Sequence, residues 1–178
     1  MKLNFHDQQH VTRMFVQEQR VNAIFNHFIS MISPEMRKWK DAGHKNSVWV
    51  RNPYVEKNID KYLVWLQSAL LNEIRTNQTD AWNSAIEKND GIIKAYIKGM
   101  ALSTIVKEGM FARNMDALTA LQNRIDNGMN LSQRVWKITE QTKVNVELFL
   151  ESGIASGRRA DAISRDFRQM LQNPENRF

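Results

Sequence analysis

Val11, Met14, Phe15, Glu18, Val21, Phe25, Phe28 and Ile32 recur at intervals of three and four residues, with Glu18 the one polar member. An α-helix repeats every 3.6 residues and a strand every two, so this spacing lines all eight along one face of a helix of about seven turns. A face so apolar has to be covered by another element. Little in the chain can interrupt such helices: its 178 residues include seven glycines and three prolines, while Gln, Asn, Lys, Arg, Ala, Leu and Met are plentiful. Residues that lose little freedom on entering a helix dominate, and an all-α fold follows.

The same reading continues along the chain. Ser33 and Pro34 are expected to end the first helix and open a short one, with Pro34 in the first-turn position where its missing N–H costs nothing, and Gly43 stops that piece. Asn52-Pro53 repeats the cap-plus-proline start, and Ile59, Tyr62, Leu63, Leu66, Leu70 and Ile74 define a second long helix, its apolar face widened by Trp65 and Ala69. Trp82, Ala85, Ile86, Ile93, Tyr96, Ile97 and Met100 carry a third, which either tolerates Gly91 at about 1 kcal/mol or breaks there. Gly109 is expected in a loop, Asn114 as a cap, and Leu118, Leu121 and Ile125 as the buried stripe of a short helix closed by Gly128.

From Leu131 one stripe comprises Val135, Ile138, Thr142, Val146, Phe149 and Leu150, with Asn130 or Ser132 capping and Gly153 stopping the helix. Trp136, Val144 and Leu148 form a second stripe on another face. A helix apolar on two faces is either central in a bundle or held between its own domain and a partner, and on the second alternative these three residues are the partner-binding candidates. Ile163, Phe167, Met170 and Leu171 line a last helix, ended by Asn173-Pro174, that completes a C-terminal helical hairpin. The expected architecture is a bundle of six or seven helices in one domain over residues 1–178, with 1–110 and 111–178 as the alternative division.

A chain of this length buries about 70% of its unfolded surface on folding, so it needs no staples. It has no cysteine, which excludes disulfides and thiolate metal sites. The amino terminus has no apolar core of a signal peptide, and no run approaches the roughly 20 apolar residues of a membrane span, so no membrane partner is expected.

The net charge of +6 is unevenly placed. Residues 58–127 balance eight basic against eight acidic groups, whereas residues 37–57 hold six basic and two acidic ones. In that segment Arg37, Lys38, Lys40, Lys45, Arg51 and Lys57 interleave with Trp39, Trp49 and Tyr54. Cations for phosphates and rings for stacking are what non-specific DNA contact uses. The same residues also serve a simpler purpose, in which Trp39 and Trp49 anchor a loop while the charges stay in water, or they meet an acidic protein surface.

His6 and His10 stand at the four-residue spacing of paired zinc ligands, but the intervening Asp7, Gln8 and Gln9 supply no catalytic Glu and no third ligand is evident. A solvated first helical turn accounts for them. With no phosphate loop, nucleophile elbow or paired-carboxylate motif, the chain reads as a non-enzyme without cofactor or metal. The connector Gly153-Ile154-Ala155-Ser156-Gly157-Arg158-Arg159, with Arg165 and Arg168 beyond, has the outline of a helix-turn-helix turn, but Asp161 and Asp166 dilute its charge, and fixing a hairpin angle explains it as well.

One longer pattern carries a resemblance. The Gly128 to Ser132 run, Arg134-Val135-Trp136, Glu147, Gly153-Ile154, Gly157-Arg158 and Ser164-Arg165-Asp166, with Leu171 and Pro174 after them, are similar to the amino-terminal helical region of MuF-like minor head proteins. This is the phage head-morphogenesis family, in the lineage of Bacteroidetes phages and prophages. Asn89-Asp90, Met110-Phe111, Asn114 and Ala117-Leu118 extend the resemblance upstream, so that it covers about residues 80–178. It implies a minor structural protein of the virion, assembled in the bacterial host cytoplasm, acting near the portal with portal or other head proteins as partners, and able to oligomerise. It also implies a downstream MuF domain that this chain does not contain, or a toxin or hydrolase anchored in that place. Arg134, Trp136, Arg158, Arg165 and Asp166 are the motif positions the resemblance marks, and it assigns none of them an active site.

Overall fold

The computed structural model describes residues 5–38 and 53–156, together with Ala162, Arg165, Asp166 and Gln169, whose backbone is helical. The fold is all-α. The described residues form α1 (Phe5–Lys38), α2 (Pro53–Tyr96), α3 (Thr104–Met110), α4 (Met115–Gln122) and α5 (Leu131–Ala155). Among them are no strands, only an isolated bridge between Asp126 and Met129.

Among the described residues the helices are five and longer than expected, because two anticipated separations, at Ser33-Pro34 and between Ile74 and Trp82, do not occur. α1 runs through Pro34. Ser33 does not cap a new helix; its Oγ donates back to the Ile29 carbonyl at 2.7 Å, and Ser30 Oγ likewise donates to the His27 carbonyl at 2.6 Å. Proline inside a helix costs about 3 kcal/mol. Pro34 lies on the exposed side of α1, while Ile32, Ser33 and Glu35 around it are buried, and that burial outweighs the cost. α2 is continuous across residues 75–81, so the expected second and third helices are one; it tolerates Gly91, the first of the two alternatives, and ends at Tyr96, short of Met100.

Three smaller expectations are also revised. Gly109 lies within α3, a helix not anticipated, whose N-cap Ser103 accepts a hydrogen bond from the Val106 N–H. α4 begins at the expected cap, Asn114, which accepts from the Ala117 N–H at 2.9 Å, but it ends at Gln122 and not at Gly128. Instead Asn127 and Gly128, with φ of 49° and 75°, make a tight two-residue turn that closes reciprocal bonds of 3.0 Å between the backbones of Asp126 and Met129. Positive φ at both positions is the signature of a type I′ turn, for which Asn-Gly is the favoured pair. α5 does not stop at Gly153 but runs to Ala155, and the last turn is closed by the N–H and Oγ of Ser156 on the Ser152 carbonyl. The last helix expected on Ile163, Phe167, Met170 and Leu171, and with it the C-terminal hairpin, lies outside the described residues.

The chain divides into two compact units, each discontinuous in sequence: Met1–Glu18 with Asn72–Leu131, and Gln19–Leu71 with Ser132–Phe178. The second unit has the apolar core. Phe25, Phe28, Ile29 and Ile32 from α1, Ile59, Leu63, Leu66 and Leu70 from α2, and Val135 and Val146 from α5 are all buried. The α2 set advances by four, three and four residues, the spacing of a coiled-coil seam. Here α1 and α2 run antiparallel, with Asn58 donating to Glu35 at 3.0 Å and the His27 and Trp65 rings edge to face at 4.8 Å. Thr139 and Thr142 are buried too, and their hydroxyls donate to the carbonyls of Val135 and Ile138, so neither leaves an unpaired polar group in the core.

The first unit is held differently. Its buried apolar side chains among the described residues are Leu118 and Leu131. Polar cross-links also join its elements: Arg13 reaches the Asp80 carbonyl and Ser84 Oγ, Asp7 pairs with Lys88, and Gln122 donates to the Arg75 carbonyl and Thr79 Oγ1. Buried Asn77 donates to both the carbonyl and the carboxylate of Glu73, and the Lys94 ammonium sits 5.4 Å from the centre of the Phe111 ring.

Candidate protein-docking faces

The buried stripe of α5 consists of Val135, Thr139, Thr142 and Val146, with Ile138 and Phe149 half-buried beside it. On the other side Trp136, Val144 and Leu148 keep 39%, 45% and 58% of their surface exposed. The two-stripe pattern read from the sequence is therefore resolved: one stripe faces the core of the second unit, and the other is a surface feature, which departs from the alternative of a central helix. Glu140 completes the exposed row at four-residue spacing, and Lys137 and Glu147 flank it, both exposed. Next to it Lys143 donates to Asp60 Oδ1 at 2.6 Å, tying α5 to α2. That hydrogen bond holds the ammonium above the usual lysine value of 10.5, against the opposing effect of partial burial and with the help of the Asp60, Glu147 and Glu56 charges.

A second set of exposed apolar side chains lies in the first unit, where the sequence pattern led to the opposite expectation. Val11, Met14 and Phe15 belong to the α1 stripe, yet each is more than half exposed. Asp7 and Arg13 of α1 reach α2 in this unit, so a polar face of the helix meets its neighbour. Leu121 and Ile125, expected to be buried with Leu118, are exposed as well, as are Ile92, Tyr96 and, at 81%, Ile105. A lone exposed apolar residue needs no explanation; Val11, Met14 and Phe15 are three such residues within five positions of one helix. Periodicity identified the stripes but carried no signal that these would lack cover.

Of the basic segment, Arg37 and Lys38 are the last residues of α1; Trp39, Lys40, Lys45, Trp49 and Arg51 fall outside the described residues. Lys57 is exposed on α2. His10 is exposed on α1, and no three His, Asp or Glu side chains among the described residues are grouped as metal ligands. Of the motif positions, Arg134 and Asp166 are half-buried, Trp136 and Arg165 are exposed, and Arg158 lies outside the described residues. No helix among the described residues is long and apolar enough to cross a membrane. Neither a protein-family model, nor a curated protein, nor a solved structure matches this chain.

Proposed function

We propose that this chain is a helical assembly module of a phage minor head protein, acting by protein docking rather than catalysis, near the portal during head morphogenesis. The observation that carries the docking mechanism is the set of large apolar side chains left in water on the first unit, with Val11, Met14 and Phe15 on α1 as its most compact group. Covering such side chains with a partner's apolar surface is favourable by about 25 cal/mol per Å² removed from water. The head-assembly setting comes from the resemblance of Gly128 to Phe178 to MuF-like proteins, as does the place of the chain in the virion.

The test is co-purification with the portal protein of the same phage. The wild-type chain should be retained, and Val11→Glu with Phe15→Glu, at exposed positions, should abolish retention without changing the helical circular dichroism. Two folded proteins that do not associate would remove the portal from the reading.

A further inference from the structure

Asn127 is the one asparagine of the chain that precedes a glycine. The backbone nitrogen after an asparagine can reach its side-chain carbonyl carbon and close a five-membered ring, and glycine, with no Cβ, crowds that approach least. Both reacting groups stand unengaged. Among the described residues the Gly128 N–H enters no backbone hydrogen bond and the Asn127 amide has no partner, and both residues are exposed. Asp90, the one aspartate before a glycine, is placed differently: Asp90-Gly91 lies within α2, where the helix ladder engages the glycine N–H.

Ring closure requires the Asn127 backbone to leave its turn conformation at φ of 49°. What holds it there is the pair of bonds between Asp126 and Met129, an isolated bridge with no strand on either side. Two bonds at an exposed turn open far more often than a helix interior or a packed core.

We propose that Asn127 is a site of spontaneous deamidation. The Gly128 nitrogen bonds to Asn127 Cγ, the Cγ–Nδ2 bond breaks, and ammonia leaves with the proton that the Gly128 nitrogen gives up, so that a succinimide remains. Water then opens the ring. Attack at the former side-chain carbonyl gives aspartate, and attack at the backbone carbonyl leaves the main chain running through the side-chain carbon, as isoaspartate. Either product sets a new negative charge beside Asp126. Isoaspartate also lengthens the main chain by one carbon, so the two-residue turn no longer places Asp126 opposite Met129 and the bridge ahead of α5 is lost. This chemistry belongs to the chain itself and does not depend on the setting in a phage head.

The test is to keep the full chain folded in mildly alkaline buffer, sample it over time and digest it with trypsin, which releases residues 125–134 as one peptide. Fragmentation that distinguishes aspartate from isoaspartate should show residue 127 converting, with isoaspartate the larger share, while Asn130 in the same peptide stays an amide and Asp90 keeps its normal linkage. The rate should rise with hydroxide, because the nitrogen attacks as its conjugate base, and Gly128→Ala should slow it roughly tenfold by placing a Cβ beside the attacking atom. Conversion at residue 127 no faster than at Asn130 would overturn the proposal, as would aspartate as the sole product, which marks direct attack by water on the side chain. A residue 127 that is stable in the folded chain and converts only in urea overturns it too, by showing that the turn keeps the reacting atoms apart.

Discussion

Leu66 and Leu148 are the same residue type on long helices, and the structure predicts opposite consequences for truncating them. Leu66 is fully buried in the α2 seam of the second unit, between Leu63 and Leu70, whereas Leu148 is 58% exposed. Leu66→Ala removes three carbons from a dry environment, a transfer loss of about 2.4 kcal/mol at about 0.8 kcal/mol per buried methylene. A residual cavity adds to that, and the total is about 3 to 4 kcal/mol. For a chain of this size the melting temperature should fall by roughly 10 °C. Leu148→Ala should stay within about 0.5 kcal/mol of wild type, as substitutions away from core contacts do. Urea denaturation followed by circular dichroism, with wild type and both variants at a dilute concentration where self-association is absent, gives both numbers. A cost below about 1 kcal/mol for Leu66→Ala, or equal costs for the two variants, would refute the assignment of buried and exposed faces; the benchmark for a filled core site is about 2 kcal/mol or more.

Other predictions probe the backbone and the charges. Gly91→Ala should stabilise the protein by about 1 kcal/mol, because Gly91 is helical and a Cβ there meets nothing within 4 Å; Gly128→Ala, at φ of 75°, should destabilise it, and thermal melts separate the two signs. The Lys143 ammonium is stabilised in the folded state, so the contribution of its pair with Asp60 is fully present below pH 10.5 and is lost as the pH rises through the elevated value. Lys143→Met should therefore cost up to about 1 kcal/mol at neutral pH, with the difference from wild type shrinking in melts above the lysine range. Exchanging Arg37, Lys38, Lys40 and Lys45 for Glu should leave DNA retention unchanged if those side chains are simply solvated; a loss of retention that steepens with falling salt would establish the DNA-contact alternative.

Much of the secondary structure was legible in the chain because helix bonds are local. The four-three spacing of Ile59, Leu63, Leu66 and Leu70 and the Asn114 cap each depend on residues within a turn or two, and all appear in the structure as expected. The break expected at Pro34 does not occur because its local cost, about 3 kcal/mol, is smaller than the burial a continuous helix retains, and Gly91, at about 1 kcal/mol, is tolerated, one of the two alternatives its sequence context allows. The Asn127-Gly128 turn is readable in principle, since the pair is a strong local signal for positive φ, but a helix end at Gly128 asks for positive φ there as well.

Which apolar residues are covered was not legible, and the candidate docking faces depend on that. Phe15 and Phe25 lie on one helical stripe, yet Phe25 is buried and Phe15 is 58% exposed. On α5, Val146 is buried and Val144, two residues earlier, is 45% exposed. The sequence by itself determined the α-helical class, the helical period and the existence of two apolar rows on α5, since these follow from side-chain spacing along one chain. Only the tertiary structure decided which row is the core and which is exposed, because burial depends on neighbours brought together from distant parts of the chain.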